Sequence, residues 1–223
     1  MNLRIIVLAL LTVLTTNFPV FAETPPMPPN TNGGDPTNDG MKHIDISLTG
    51  GVVGLIAHDP PASPVVMRSG FGFDFTPEKF DVLENVYFNA QHGWLSPGGF
   101  LVELPPGGSI WMKRTGVTQP VGSTFNVYEG GNGAEGMAAW TMNEIYASDG
   151  DIWQWDGAMQ HDYFTANLPG SYSMSFEVYI GDSNGNPASG FIAATTTFQF
   201  VTPEPAALPL ALLGTMGLLV RRR

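Results

Sequence analysis

Leu168-Pro169-Gly170-Ser171-Tyr172-Ser173-Met174-Ser175-Phe176-Glu177-Val178-Tyr179-Ile180 alternates without a break. Tyr172, Met174, Phe176, Val178 and Ile180 take one face, and Ser173, Ser175 and Glu177 take the other. Period two over ten residues predicts a half-buried β-strand. A turn follows at Asp182-Ser183-Asn184-Gly185-Asn186-Pro187, and Phe191 to Val201 returns with Ile192, Ala194, Thr196, Phe198 and Phe200 on one face. The pair reads as a β-hairpin.

Working outward, the same pattern recurs. In Lys42 to Thr49, Ile44, Ile46 and Leu48 oppose His43, Asp45 and Ser47; Val52 to His58 is the partner strand across Gly50-Gly51. Weaker strands are expected at Phe71 to Phe75, Asn85 to Asn89, Gly99 to Leu104, Ser109 to Lys113, Thr124 to Glu129 and Asp151 to Trp155. Ala138 to Ala147 reads as a strand or a short helix. The 27 glycines and 19 prolines supply the turns between them. About nine or ten strands at these intervals predict an all-β fold, an antiparallel sandwich over residues 42–201. The Pro-Gly-x-Tyr corner at Pro169 to Tyr172 resembles the penultimate strand of immunoglobulin-like bacterial surface domains. That resemblance implies a Tyr172 hydroxyl bonded back to upstream backbone.

Both ends read as signals. Met1 to Arg4 carries one positive side chain, Ile5 to Leu14 is apolar, and Val20-Phe21-Ala22 offers small residues at the positions signal peptidase requires. Residues 1–22 are therefore expected to be a signal peptide. Residues 23–41, rich in Pro, Asn and Gly, have almost nothing to bury and read as an extended or disordered linker. At the other end, Pro203-Glu204-Pro205 precedes the uncharged run Ala206 to Val220, then Arg221, Arg222 and Arg223. Fifteen helical residues span about 22 Å, short of the roughly 30 Å hydrocarbon core, so snorkelling arginines must cover the difference. The order resembles the PEP-CTERM sorting signal, which implies a short transmembrane helix over residues 202–223, held transiently in the inner membrane. It also implies an exosortase-type transpeptidase as partner and a body moved to the outer envelope, cell surface or extracellular matrix.

Composition narrows the chemistry. The chain has no cysteine, which excludes disulfides and thiol catalysis. Outside the signals the basic residues are Lys42, Arg68, Lys79, Lys113 and Arg114, against 19 of the 20 acids. Such a surface repels nucleic acid and anionic lipid, and suits cations or neutral glycans. No G-x-S-x-G, H-E-x-x-H or phosphate-binding loop is present, so a non-catalytic protein is expected. Asp182 to Asn186 has oxygens at alternate positions, but Pro187 stands where a calcium loop needs glycine, and a hairpin turn is expected there. Asp149-Gly150-Asp151 also reads as a turn.

His43 and Asp45 leave one strand face about 7 Å apart, near enough to reach one cation. His161 lies in Met159-Gln160-His161-Asp162-Tyr163-Phe164. From His43 to Val201 the chain is similar to surface-anchored bacterial domains that open on His-x-Asp and close on His-x-His-x-x-Trp leading into Gly-x-Tyr. His43-Ile44-Asp45, His161, Phe164 and Gly170-Ser171-Tyr172 fall on those elements, with Met159 replacing the first histidine. The resemblance implies a zinc or manganese site at His43, Asp45 and His161, with His58 or Asp162 as a further ligand. The alternative is exposed strand residues or one buried, hydrogen-bonded histidine. A second reading is a structural or glycan-interacting matrix protein without metal. Its partner is an exopolysaccharide stacked on Trp153 and Trp155, which share a face.

Overall fold

The long alternating segment does become the axis of the molecule. The computed structural model describes residues 21–27, 40–57, 64–96, 104–131 and 136–203. Its strands are β1 (Phe21–Glu23), β2 (Lys42–Thr49), β3 (Val52–Ala57), β4 (Val65–Val66), β5 (Arg68–Ser69), β6 (Phe73–Phe75) and β7 (Tyr87–Asn89). They continue as β8 (His92–Leu95), β9 (Ser109–Thr118), β10 (Phe125–Gly131), β11 (Ile152–Trp155), β12 (Gln160–Ala166), β13 (Ser171–Gly181) and β14 (Ala194–Val201). Short 3₁₀ turns occur at Glu78–Leu83 and Met137–Ala139. The fold is all-β.

Two large sheets share one core. The five-stranded sheet has the order β11-β9-β13-β14-β4. The seven-stranded sheet runs β3-β2-β8-β12-β7-β5, with β10 on the other side of β12. Met174, Phe176, Val178, Phe198 and Phe200 from one sheet meet Ile44, Ile46, Trp94, Phe125, Val127 and Phe164 from the other. This is the burial that the period-two runs of β2, β13 and β14 specify. Ile192 departs from it: it stands 62% exposed beyond the start of β14. The β2–β3 hairpin turns on Gly50 and Gly51, both at positive φ, as a tight hairpin requires.

The expectation of a purely antiparallel arrangement is corrected at three places. β2 pairs β8, β14 pairs β4, and β1 pairs β6 in parallel. Each of these joins strands that no tight hairpin connects, which frees the chain from antiparallel pairing.

A second core covers the outer face of the seven-stranded sheet. Phe75, Phe80, Leu83, Phe88, Ala90, Trp140, Met142 and Tyr163 build it. β12 is therefore buried on both faces, sending Phe164 and Ala166 to the first core and Tyr163 to the second.

The Tyr172 hydroxyl donates to the Leu168 carbonyl at 2.6 Å, bridging the corner that opens β13. The Asp182 loop is a hairpin turn closed on itself. Its carboxylate accepts from the Asn184 and Asn186 backbone and the Asn186 side chain, which holds the carboxyl below its ordinary range. At the other turn, Asp151 accepts from Ser148 and Arg114 pairs with Asp149 at 2.8 Å. The linker expectation also changes at its start. Glu23 to Met27 lies against the domain, with β1 on β6 and Met27 on the second core. Residues 1–20, the rest of the linker up to residue 39, positions 99–103 of one expected strand, and the tail from Glu204 lie outside the described residues. Among the described residues no helix is long and apolar enough to cross a membrane.

Candidate functional site

Three neighbouring strands bring two of the sequence-predicted ligands together. His43 on β2 is level with Gly93 on β8, and Gly93 is level with His161 on β12. The histidines are thus two strands apart, a backbone separation of about 10 Å. Gly93 has no side chain between them, and the imidazoles close the gap. Their Nε2 atoms lie 3.0 Å apart and their ring centroids 5.0 Å apart. A Cβ on Gly93 would lie 2.7 Å from both the Gln160 carbonyl oxygen and His161 Cε1. Gly130 flanks His161 on the opposite side, where a Cβ would overlap the His161 carbonyl oxygen.

A backbone irregularity orients His161. Between the pairs Asn89–Phe164 and Gly93–His161, β12 advances three residues while the β7–β8 side advances four. The extra residue is accommodated at Ala90-Gln91, as in a β-bulge. Asn89 and Gln91, both fully buried, hold it. Asn89 Oδ1 accepts from the Gln91 backbone at 2.8 Å, and its Nδ2 donates to the Val66 carbonyl and to Gln91 Oε1. The Ala90 carbonyl oxygen then lies 2.8 Å from His161 Nδ1. A carbonyl only accepts, so Nδ1 carries the proton and Nε2 presents its lone pair to His43. His43 Nε2 donates into it.

His161 is 1% exposed, whereas His43 is half-buried. Burial, with His43 beside it, pushes the His161 imidazole down to about 4, against an opposing pull from the Ala90 carbonyl. The ring is therefore neutral, the form that binds metal. A cavity of about 90 Å³ is bordered by His43 and Ile44 of β2, by His92, and by Thr196, Thr197 and Phe198 of β14.

The other expected ligands fare differently. Asp45 is buried on the same strand two residues on, but among the described residues no group of three or more His, Cys, Asp or Glu comes together to hold a metal. His58 lies outside the described residues. Asp162 is corrected: it follows His161 on the strand and so takes the opposite face. Its Oδ1 accepts from Gln160 Nε2 at 2.7 Å and from the Gly130 backbone at 3.3 Å. Burial raises this carboxyl to about 7. His92 belongs to the first core, stacked on Phe198 with centroids 4.3 Å apart, and burial lowers it to about 3.

The stacking platform at Trp153 and Trp155 is corrected as well. Trp155 is 3% exposed within the core and donates to the Ala158 carbonyl. Trp153 packs against the same core and its Nε1 donates to Glu129. The face they share is the one turned inward, because the rings of β11 fill the end of the sheet interface. Of the sorting motif, Pro203 is exposed just past β14; Glu204, Pro205 and Arg221 to Arg223 lie outside the described residues.

Sequence reasoning passed over Gly93 and Ala90. A glycine inside His92-Gly93-Trp94 was the available signal, because glycine within a strand marks close approach. No protein-family model matches the chain, and no curated protein matches it.

Proposed function

We propose that this chain is an exported, non-catalytic envelope protein whose His43–His161 pair is the protein side of a divalent-metal site, with zinc as the preferred ion. The observation that carries the reading is the convergence of two Nε2 atoms at 3.0 Å, one of them with its tautomer set by Ala90. Two imidazoles on one tetrahedral zinc, at bonds of about 2.0–2.1 Å, hold their nitrogens roughly 3.3 Å apart. The ion enters when His43 takes its other tautomer, moving the proton from Nε2 to Nδ1, and the two nitrogens separate by a few tenths of an ångström. The Ala90 contact is the outer-shell hydrogen bond that metal-binding histidines use to fix orientation. Imidazole donors favour zinc over manganese, which prefers oxygen. A bound ion would supply cross-strand stabilisation, with water or further donors filling its remaining positions.

The wider reading rests on the sequence. The signal-like start, the Pro-Glu-Pro tail with its three arginines and the acidic body support delivery to the outer envelope, cell surface or matrix by an exosortase-type route. The Tyr172–Leu168 corner supports placing the sandwich among immunoglobulin-like domains.

Equilibrium dialysis with elemental analysis tests the metal reading. Wild type is expected to retain about one zinc per chain and little manganese, and to melt higher with zinc. His43→Ala and His161→Ala should each weaken retention at least tenfold. If wild type retains no zinc and its melting does not respond, the pair is a structural hydrogen bond and the chain a metal-free matrix component.

A further inference from the structure

The segment Glu23 to Met27 occupies a groove, and its contacts define what that groove recognises. Among the described residues β6 pairs with β1 alone. Glu23 accepts at its carbonyl from the Thr76 backbone at 2.9 Å, and its carboxylate lies 3.5 Å from Arg68. Arg68 also sits over Phe73, 5.2 Å from the ring centroid. Pro25 is buried, and Met27 packs into the second core. The Tyr163 hydroxyl, rising from that core, donates to the Pro26 carbonyl at 2.6 Å. An aromatic floor, a phenol aimed at a prolyl carbonyl and the Pro25-Pro26-Met27 segment laid on them make a recognition surface for proline-rich chain. Consecutive prolines restrict the backbone of that segment before it docks, so little ordering entropy is lost.

We propose that this groove exchanges its occupant between copies, the Glu23–Met27 segment of one molecule docking on β6 and Tyr163 of another. The inference is independent of the metal reading. Each copy carries the identical groove and the identical segment, which is the condition for swapping. The ladder between β1 and β6 is two-stranded and parallel, slightly less stable per residue than antiparallel pairing, and its ion pair is partly exposed. Release therefore breaks few backbone contacts; it withdraws Met27 from the edge of the second core, whose fully buried residues all come from other segments. Residues 28–39 separate the segment from Gly40, a length that reaches about 40 Å when extended. That reach allows docking on the same molecule or on a neighbour.

The absence of native cysteine makes cross-linking unambiguous. Ala22 and Asp74 are directly paired across β1 and β6, and both are exposed. In the full, unprocessed chain in detergent, the double variant Ala22→Cys with Asp74→Cys should form a disulfide within one molecule at high dilution. A mixture of the two single variants should form covalent dimers, with a yield that rises with protein concentration. That yield should exceed several-fold the yield of Ala22→Cys mixed with Val121→Cys, whose cysteine is fully exposed and remote in sequence. Tyr163→Phe should lower both cross-links several-fold. Mixed single variants that link no better than the Val121→Cys control, while the double variant links internally, would overturn exchange. A double variant that fails to link internally would overturn the groove itself.

Discussion

His43 and His161 meet nitrogen to nitrogen at 3.0 Å across a strand that contributes only Gly93 between them. The contact depends on an absent side chain. Gly93→Ala would place a methyl 2.8 Å from His161 Nδ1 and 2.7 Å from the Gln160 carbonyl oxygen. Either the ring swings from Ala90 or the strands part. The variant should lose about 1–3 kcal/mol of stability, as overpacked sites do. Zinc-dependent stabilisation should disappear with it. Melting with and without zinc reads both effects; an unchanged zinc response would show that the two rings do not act together.

Two of the strands that carry this arrangement, β8 and β12, were the hardest to read from sequence. Lys42 to Thr49 and Ser171 to Ile180 each have one face in a core and one more exposed, so alternation exposes them. Gln160 to Ala166 is almost wholly buried, because separate cores cover its two faces, and its apolar and polar residues follow no period. Asp162 and Thr165 are buried there by local hydrogen bonding and packing that a single sequence does not encode as a pattern. His92 to Leu95 is also largely buried, with Trp94 in the first core and Gly93 against His161, and four residues are too few to show a period. The His-x-Asp pair was legible from spacing on β2. Its partner His161 came only from the family resemblance, because spacing carries no sign of the parallel pairing of distant strands that sets it across Gly93. Trp153 and Trp155 were correctly placed on one face, but period two cannot say which face turns inward.

Stability should fall in mild acid, by an amount that one carboxyl moderates. The folded imidazoles of His92 and His161 lie at about 3 and about 4, against an ordinary 6.5. Below pH 6.5 the unfolded chain binds protons that the folded chain excludes, so their contribution is lost as pH falls toward 4. Asp162 acts in the opposite sense. Its folded value of about 7 against an ordinary 3.8 lets the folded chain hold a proton that the unfolded chain releases. Near pH 5 two histidines less one carboxyl leave about one net proton taken up on unfolding, a slope of about 1.4 kcal/mol per pH unit. Asp162→Asn keeps an acceptor for Gly130 and Gln160 but removes the opposing titration. Urea unfolding between pH 4.5 and 6 should show the slope nearly doubled in that variant; an equal slope would refute the assignment.

The corner at Tyr172 gives a local test. Its ring packs near Phe125 in the first core, and its hydroxyl reaches back four residues to Leu168. Tyr172→Phe keeps the ring and removes one buried hydrogen bond, so the loss should be about 1–2 kcal/mol. For a domain of this size that corresponds to a drop of roughly 2–8 °C in melting temperature. Zinc binding should not change, because the corner lies on the other sheet. A variant as stable as wild type would show that the corner is held by packing alone.

Lys79 closes the second core with a cation rather than with apolar surface. Its Nζ lies 2.7 Å from the Met137 carbonyl oxygen, 3.2 Å from that of Ala138 and 2.6 Å from that of Trp140. It also sits 5.3 Å from the centre of the Phe80 ring. Three carbonyl dipoles aimed at one point repel one another unless a positive charge stands between them. Lys79→Met preserves most of the stem's packing and removes that charge, leaving the 3₁₀ turn at Met137–Ala139 without its partner. Trp140 would then depend on packing against Phe80 and Tyr163, since its buried Nε1 has no hydrogen-bond partner among the described residues. The expected cost is about 1–3 kcal/mol. It should appear first as weakened near-ultraviolet circular dichroism from Trp140, with β-sheet content kept. Because Tyr163 belongs to the same core, the variant should also loosen the Pro26 contact and speed proteolysis near Met27. Lys79→Met with unaltered aromatic dichroism and unaltered cleavage near Met27 would show that the carbonyl cluster tolerates the loss of its cation.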